Sequence, residues 1–458
     1  MPSGPLEVIV IGGGIGGLCL AQGLLPSGAN VRVYERGRSS DDWVRGYRIH
    51  VNQMGARSLH QCLPRPLWEA FTATSGHPGP GFGFHTHHLE RLVFVEESVM
   101  TGDTASAADA QYATSRSTLH ALLAAGLNDV IQYGKTFERY ESRSDGRVTA
   151  FFADGTHTTG DVLVGADGAG SRVRRQYLPH ARRVDTDALA IGGRLPLDES
   201  TRAWLPAGFA DGLNLVLPPR ESALFTATFN GERRMRRAID EGPDLDGFGV
   251  DLTALAGDVH DYLLLAFIAH RRIHPPDVAG LDGTGLKHLM GTLTRDWDPI
   301  LRRVIAEADP DSMRLMPFRT SVPVPPWPAT TVTLLGDAIH SMTPAMGFGA
   351  NVALRDAALL SSKLSANRRG EVDLLTAIGG YERQMLDHGF RAVRTARRLT
   401  NFMISGNTGV RSAAKIWFRL CHGAPRLKRL SFGGSWTDTT PQEPGRRPAA
   451  HGGPAASK

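Results

Sequence analysis

Glycines and one acid near the start of the chain have the spacing of a nucleotide-binding site. Gly12, Gly14 and Gly17 form a G-x-G-x-x-G motif. In such a motif the first glycine permits a tight turn, the second lets the backbone approach a pyrophosphate, and the third lets a helix pack closely on a strand. Glu35 follows Gly12 by 23 residues, close to the offset of about 20 residues at which a carboxylate binds a ribose hydroxyl. A chance glycine turn is the alternative, but the added acid favours a dinucleotide, either NAD or FAD.

Two later segments place an acid directly after an apolar run. Residues 161–174, DVLVGADGAGSRVR, deliver Asp167, and residues 332–351, VTLLGDAIHSMTPAMGFGAN, deliver Asp337. An ordinary strand-to-helix turn with a capping Asp or Ser explains the first segment equally well. A plain turn does not explain the several glycines that lead from Asp337 into another predicted helix.

The hydrophobic pattern predicts the elements that position these residues. A buried strand over residues 6–11, a helix over 15–25 and a strand over 30–35 form one strand–helix–strand unit. Apolar runs over 161–166 and 331–335 predict two more buried strands. The predicted fold class is therefore α/β, with a doubly wound, Rossmann-like domain that is discontinuous in sequence.

Composition and cysteine usage exclude several classes of protein. The 458 residues are 41% hydrophobic and 21% charged, which indicates a globular protein large enough to fold without disulfides or structural metals. The three cysteines, Cys19, Cys62 and Cys421, lie far apart in the sequence and form no C-x-x-C motif. A reducing, cytoplasmic location is therefore expected. Glycines and Glu7 interrupt the apolar stretch near the N-terminus, and we predict neither an export signal nor a transmembrane segment.

Other patterns carry less weight. The FHTHH segment over residues 84–88 could offer imidazoles to a metal, but an edge strand beside a pocket is favoured, and no metal is predicted. A G-x-S-x-G motif is absent from the sequence, which argues against a hydrolase. Residues 391–432 hold ten Lys or Arg and no Asp or Glu. Packing of this segment on the protein's own acidic surface is favoured, no nucleic acid is predicted, and weak contact with anionic lipid is the alternative.

The chain carries a glycine fingerprint at residues 12–17, a DG motif at Asp167-Gly168 and a GD motif at Gly336-Asp337. With these three motifs in this order, it resembles the class A flavoprotein monooxygenases of the para-hydroxybenzoate hydroxylase type. The resemblance covers roughly residues 6–364 and implies FAD, rather than NAD, as the tightly bound cofactor. The FAD-binding residues it implies, with neighbours added from local context, are Gly12, Gly14, Ile15, Gly17, Glu35, Arg36, Arg45, Arg48, Arg116, Asp167, Asp337, Pro344, Gly347, Gly349, Ala350 and Asn351.

Within that set the resemblance implies particular roles. The three glycines of the fingerprint would bind the pyrophosphate and Glu35 the adenosine ribose. Asp337 would bind the ribityl chain, and the loop over residues 344–351 would hold the isoalloxazine edge. Arg116 opens a predicted helix where the family has an FAD-contacting arginine. Either Arg45 or Arg48 would lie near the pyrophosphate; an exposed surface charge is the alternative for all three arginines.

The resemblance also implies an activity. Reduced nicotinamide, NAD(P)H, would bind transiently and reduce the flavin, and O2 would add at flavin C4a. One oxygen would then hydroxylate or epoxidise an electron-rich aromatic, enolic, indolic or alkene small molecule. A related FAD-dependent dehydrogenase or reductase without oxygen insertion is the alternative. The high Arg, Ala and Gly content, with little Lys, indicates a GC-rich genome. Such a genome suits a tailoring enzyme of secondary metabolism. No catalytic residue is assigned; pocket walls could come from Pro344, Met346, Phe348, Met316 and Phe318, or these could be ordinary core residues.

The same reasoning divides the chain into regions. Short alternating strands between about residues 184 and 318 predict a mostly antiparallel substrate domain. Helices are predicted after about residue 374, with one apolar face formed by Phe390, Val393, Leu399, Phe402 and Met403. The predicted regions are a discontinuous FAD-binding domain (1–76, 110–182 and 319–370), a substrate domain (77–109 and 183–318), a C-terminal helical region (371–432) and a disordered tail (433–458).

Overall fold

The computed structural model describes residues 4–38, 47–102 and 106–434. Arg45 and most of the predicted tail lie outside these residues, as does the side chain of Met346. The strands in the described ranges are β1 (Glu7–Ile11), β2 (Asn30–Tyr34), β3 (Ile49–Val51), β4 (Gly81–Thr86), β5 (Arg91–Glu96), β6 (Tyr112–Thr114), β7 (Ile131–Gln132), β8 (Phe137–Ser142), β9 (Val148–Phe152), β10 (His157–Gly160), β11 (Val162–Gly165), β12 (Arg183–Pro196), β13 (Leu213–Leu217), β14 (Ser222–Phe229), β15 (Tyr262–His270), β16 (Asp309–Ser321) and β17 (Val332–Leu334).

The helices are spread over the described ranges, and the first of them matches the predicted helix over residues 15–25 to within one residue. Those in the described ranges are α1 (Ile15–Leu24), α2 (Gln53–Cys62), α3 (Arg65–Thr74), α4 (Glu97–Thr101), α5 (Arg116–Ala124), α6 (Arg172–Tyr177), α7 (Glu199–Trp204), α8 (Ala207–Ala210), α9 (Glu232–Glu241), α10 (Leu252–Ala256), α11 (Gly283–Leu293), α12 (Pro299–Glu307), α13 (Asp337–His340), α14 (Phe348–Arg368), α15 (Leu374–Met403), α16 (Thr408–Gly423) and α17 (Pro425–Phe432). None of the described helices combines the length and the apolar run that crossing a bilayer requires.

A parallel sheet of five strands carries the predicted motifs. Its order is β17–β11–β1–β2–β7. Ile11 at the end of β1 pairs with both Gly165 of β11 and Tyr34 of β2, and Gly165 pairs with Leu334 of β17. The carboxyl ends of these strands therefore lie side by side. Because ligands of open parallel sheets bind beyond the carboxyl ends, the motifs converge on one place. The predicted α/β, Rossmann-like fold is confirmed.

A second sheet has seven strands and is antiparallel except for one pair. Its order is β16–β12–β15–β14–β13–β4–β5, and β13 runs parallel to β4. The predicted antiparallel half of the fold is therefore present. Residues 81–96 contribute two of its strands although they precede β11 in sequence. The domain boundaries themselves stay predictions.

The long helix α15 ties the two sheets together. The Tyr381 hydroxyl donates to the Leu334 carbonyl of β17 at 2.8 Å. Further along the helix, Phe390, Val393 and Met403 are buried, as their spacing predicts. The C-terminal part of α15 packs on β12 and β16 of the seven-stranded sheet. This helix therefore fixes the position of the second sheet relative to the first.

Candidate active site

A cavity of about 890 Å³ lies between the carboxyl ends of the parallel sheet and one face of the seven-stranded sheet. Its volume is near the upper end of the range of about 300–1,000 Å³ found for ligand pockets. The predicted cofactor residues that line it are Gly12, Gly14, Ile15, Glu35, Arg36, Arg48, Arg116, Asp167, Asp337, Pro344, Gly347, Gly349 and Ala350. The structure thus brings most of the predicted set together around one space.

The glycine motif has the close contacts that its residue type allows. Gly12 has a φ of +111°, and a Cβ placed there would lie 2.4 Å from the Ala166 carbonyl oxygen at the end of β11. A Cβ on Gly17 would lie 2.1 Å from the Gly12 oxygen. Gly17 does not line the cavity, so its contribution here is close packing of α1 on β1. Only glycine permits this turn to approach the end of β11.

Glu35 holds the glycine loop in place. Its Oε2 accepts a hydrogen bond from the Gly13 backbone N at 2.7 Å, and its Oε1 accepts one from Gly37 at 2.8 Å. On the other side of the loop, His120 Nε2 lies 2.9 Å from the Gly13 carbonyl oxygen. The Glu35 side chain is buried but borders the cavity. The carboxylate can therefore hold the glycine loop in place and also accept a hydrogen bond from a ligand hydroxyl.

Replacing Glu35 by glutamine is expected to weaken FAD binding about tenfold, because one charge-assisted hydrogen bond of about 1.5 kcal/mol is lost. The amide of glutamine has one acceptor oxygen for two backbone donors. Titration of FAD-depleted protein with FAD, followed by absorbance, measures the dissociation constant. Glu7→Gln on β1 is the matched control, because Glu7 also accepts a side-chain hydrogen bond, from Asn30, but does not line the cavity. Equal FAD affinity of E35Q and E7Q would contradict this role for Glu35.

The DG motif forms a strand-to-helix turn and also borders the cavity. Asp167 Oδ2 accepts from the Arg172 backbone N at 2.7 Å, at the first residue of α6, and Ser171 is the N-cap of that helix. Its Oδ1 is buried and has no hydrogen-bond partner in the described part of the chain, and Asp167 also lines the cavity. Such a buried acceptor requires a donor from a ligand or water. Arg174 of α6 donates to the Ala338 carbonyl at 2.7 Å, which joins the DG segment to the GD segment.

The GD motif directs a carboxyl group into the cavity. Gly336 has a φ of +62°, and Asp337 begins α13 with its side chain exposed to the cavity. Protein atoms enclose the carboxyl on its other sides, and this desolvation raises its pKa above the ordinary range. The charges of His340, Arg183 and Arg116 oppose that rise. The carboxyl is thus placed to bind hydroxyl groups of a ligand.

A buried carboxylate that sequence reasoning missed supports the GD turn. Asp356 of α14 is fully buried; its Oδ2 accepts from Gly336 N at 2.8 Å and lies 2.6 Å from His340 Nε2. Its Oδ1 lies 2.7 Å from His388 Nε2 of α15. Burial would raise the pKa of Asp356, but the two histidines hold it well below its ordinary value. Burial likewise opposes protonation of His340, yet Asp356 keeps its pKa raised.

Asn351 positions the loop that precedes α14. Its Nδ2 donates to the carbonyls of His50 (2.8 Å) and Gly347 (2.9 Å), and its Oδ1 accepts from Asn52 N. Asn351 is fully buried and does not line the cavity, and Phe348 is also absent from the lining. Helix α14 begins at Phe348, directly after Gly347, which takes a left-handed conformation with a φ of +65°. Gly347, Gly349 and the start of α14 therefore border the cavity mainly with backbone.

Arg48 differs from an exposed surface charge. Its guanidinium Nη1 donates to the Thr228 carbonyl at 2.7 Å, and its backbone N donates to the Tyr262 hydroxyl at 2.7 Å. Burial lowers the pKa of Arg48 to about 10. Arg48 borders the cavity where the two sheets meet, whereas Arg45 lies outside the described residues.

The seven-stranded sheet gives the cavity an apolar wall. Every residue that this sheet contributes to the lining is apolar: Phe82, Ala190, Leu213, Leu215, Phe225, Leu264, Ala266, Ile268, Met316 and Phe318. Leu399 and Met403 of α15 extend the wall. Met316 and Phe318 of β16, and Pro344, were candidate wall residues from the sequence, whereas the residues of the other strands were missed. A cavity with polar motifs at one end and this wall at the other suits a dinucleotide beside a largely apolar small molecule.

Comparison with known proteins identifies the family. A family described as "FAD binding domain" matches residues 5–188 and 290–396. The chain belongs to this FAD-binding family. The predicted resemblance to class A flavoprotein monooxygenases and the assignment of FAD as cofactor are thereby confirmed.

Individual members of the FAD-binding family show similarity over most of the chain. A dual O-methyltransferase/FAD-dependent monooxygenase of Phaeosphaeria nodorum is 30% identical over 401 residues, 82% of this chain and 42% of that protein. The 6-hydroxynicotinate 3-monooxygenase of Pseudomonas fluorescens is 28% identical over 78% of this chain and 81% of its own length. A solved protein of Photorhabdus luminescens, described as an FAD-containing monooxygenase, is 34% identical with a TM-score of 0.76 and covers 87% and 98% of the two chains. The chain thus spans less than half of the Phaeosphaeria relative.

Proposed function

We propose that the protein is an FAD-dependent monooxygenase that uses NAD(P)H and O2 to hydroxylate or epoxidise an electron-rich, largely apolar small molecule. The observation that carries the proposal is that the fingerprint, DG and GD motifs share one cavity and face an apolar wall across it. The monooxygenase relatives in the FAD-binding family support the same reaction class. We also propose the role in secondary metabolism and the domain division stated above.

The residues around the cavity fit FAD. Gly12 and Gly14 would accommodate the pyrophosphate. A side chain at Gly12 would collide with the backbone at the end of β11, and the turn that the phosphates approach could not form. Glu35 and Asp337 would accept hydrogen bonds from ribose and ribityl hydroxyls, and the buried Asp167 Oδ1 would gain the donor that it lacks. Arg116 would contribute positive charge near the phosphates or the flavin.

Bound FAD would accept a hydride from NAD(P)H and activate O2; the protein's task is to orient and shield. Helix α14 is 21 residues long, and its N-terminus directs backbone N–H groups and a positive dipole end at the cavity beside Gly349 and Ala350. That charge stabilises electron density that develops on a ligand there. The wall formed by Phe225, Met316 and Phe318 excludes water from the reacting groups and packs against the substrate.

The wall also restricts the substrate. Because the seven-stranded sheet contributes no charged side chain to the lining, a charged group buried against it would lose its hydration without gaining a partner. We therefore infer that the part of the substrate nearest the wall is uncharged.

Oxygen labelling tests the proposal against the dehydrogenase alternative. Purified protein with bound FAD is incubated with NADH or NADPH, 18O2 and a panel of neutral phenols, indoles and polycyclic aromatic compounds. The expected result is substrate-stimulated NAD(P)H oxidation with one 18O atom in the product. Oxidised product that contains no label would support a dehydrogenase, and a protein that binds no FAD would overturn both readings.

A further inference from the structure

Exposed apolar side chains are concentrated on the last two described helices. Eight large hydrophobic residues of the described chain are exposed, and five of them lie between residues 410 and 430. These five, which we term the α16–α17 patch, are Val410 (50% exposed), Ile416 (57%), Trp417 (42%), Leu420 (53%) and Leu430 (81%). Single exposed apolar residues need no explanation, but a cluster of them indicates a contact surface.

The patch is the outer face of an amphipathic helix. Leu420 follows Ile416 by four residues and Trp417 by three, so these three side chains lie on one side of α16. Arg411, Phe418 and Cys421 lie on the side that packs inward: Arg411 and Cys421 are buried, and the ring centroids of Phe418 and Phe84 of β4 are 4.8 Å apart. The outer face therefore contributes little to the folded core.

The surroundings of the patch are positively charged. Residues 391–432 contain ten Lys or Arg and no acid. The neighbouring acids are already paired, Glu90 with Arg419 at 2.8 Å and Glu96 with Lys428 at 2.9 Å. Arg426 and Arg429 of α17 are exposed and form no ion pair within the described residues. Arg426 and Leu430 are four residues apart on one helix and so share a face.

The patch is also close to the apolar wall of the cavity. Phe82 and Phe84 are two residues apart and therefore lie on the same face of β4, with ring centroids 4.8 Å apart. Phe82 lines the cavity, and Phe84 contacts Phe418 on the underside of α16. The helix that carries the patch thus covers the sheet face directly beside the substrate end of the cavity.

We propose that the α16–α17 patch binds the surface of an anionic phospholipid bilayer. A helix with Trp and aliphatic residues on one face and cations beside them lies in the headgroup region, where apolar burial and attraction to anionic lipid add together. At 16 residues α16 is about 24 Å long, which suits a position parallel to the surface. The exposed side chains of Arg426 and Arg429 favour lipid over a second copy of this chain, whose patch would carry the same charge. Membrane contact would place the cavity wall near a source of apolar substrates.

Vesicle flotation tests the proposal with the full-length, FAD-loaded protein. Vesicles of phosphatidylcholine alone are compared with vesicles that also contain 30 mol% phosphatidylserine. We expect flotation with the anionic vesicles and its loss at high salt, since screening weakens charge attraction. Ile416→Ser combined with Leu420→Ser should reduce binding about tenfold, because two half-exposed aliphatic groups no longer enter the interface. Arg426→Gln combined with Arg429→Gln should have a similar effect, of about tenfold.

Ile239→Ser combined with Leu375→Ser is the matched control, because these residues are also exposed but lie far from α16 in sequence. Retention of bound FAD and of the thermal midpoint shows that each variant is folded. Absence of flotation with anionic vesicles would overturn the proposal. So would equal flotation of the patch and control variants, or concentration-dependent self-association that the patch variants abolish without any lipid binding. None of these results depends on monooxygenase activity.

Discussion

Replacing Gly12 by alanine is expected to yield a protein that is purified with little or no FAD. Gly12 has a φ of +111°, where an L-residue is strained, and its Cβ would lie 2.4 Å from a backbone oxygen of β11. The turn would have to move away from the DG segment, and the pyrophosphate contact would be lost. If the combined cost is about 3 kcal/mol, the FAD dissociation constant rises about 100-fold. The ratio of flavin to protein absorbance, followed by titration with FAD, measures the effect.

The matched control for Gly12→Ala is Gly146→Ala. Gly146 has a φ of +81°, but nothing lies within 4 Å of the added Cβ, so it reports the backbone strain without the collision. We expect this variant to lose about 1 kcal/mol of stability and to retain FAD. Equal FAD contents of the two variants would show that the close approach of Gly12 to β11 is not required for binding.

Replacing Asp356 by asparagine is expected to lower the free energy of unfolding by about 3–5 kcal/mol, the cost of removing one partner from a buried charged network. The carboxylate accepts from Gly336 N and binds two histidines, and an amide cannot satisfy all three. The Gly336 turn would also loosen, so FAD affinity should fall with stability. Urea unfolding followed by circular dichroism measures the first effect, and FAD titration the second.

The effect of Asp356→Asn should depend on pH in a way that a packing defect would not. The depressed pKa of Asp356 means that its contribution is present above about pH 4 and is lost as the pH falls. The raised pKa of His340 means that its contribution is complete below about pH 6.5 and is lost as the pH rises through the folded-state value. The difference between wild type and D356N should therefore be largest between about pH 4 and 6.5.

An exposed acid provides the control for Asp356. Asp387 lies on α15 and pairs with Arg391 one turn away, with more than half of its side chain exposed. Asp387→Asn should change stability by less than about 0.5 kcal/mol. A difference between wild type and D356N that is constant from pH 4 to 9 would argue against a charged Asp356–His340 pair.

Local sequence patterns predicted those parts of the site that depend on a single short segment of the chain. The strand–helix–strand unit around Gly12, the GD turn at Asp337 and the second strand ending near Glu35 each require only a few consecutive residues, and each was placed correctly. The apolar face of α15 was also predicted, although not that Leu399 and Met403 line the cavity. Periodicity shows which side of an element is buried but not what it is buried against.

Other features depend on residues far apart in the chain. The Asp356–His388 contact joins two helices, and Arg48 meets Thr228 across 180 residues of sequence. The available signal for Asp356 was that it is the only acid in α14. Nothing near Arg48 in sequence distinguishes a buried guanidinium from a surface charge. Such pairs become visible only when the topology of both sheets is known.

The position of β17 at one side of the parallel sheet has a consequence for biosynthesis. Strands β1, β2 and β11 are complete once Gly165 has been made, but the partner of β11 begins only at Val332. At about 5–20 residues per second, translation of the intervening chain takes roughly 10 to 30 seconds. During that time the free edge of β11 can pair with another nascent chain. Weaker induction, which lowers the concentration of nascent chains without slowing elongation, is therefore expected to raise the yield of correctly assembled protein, as is a chaperone that covers this edge.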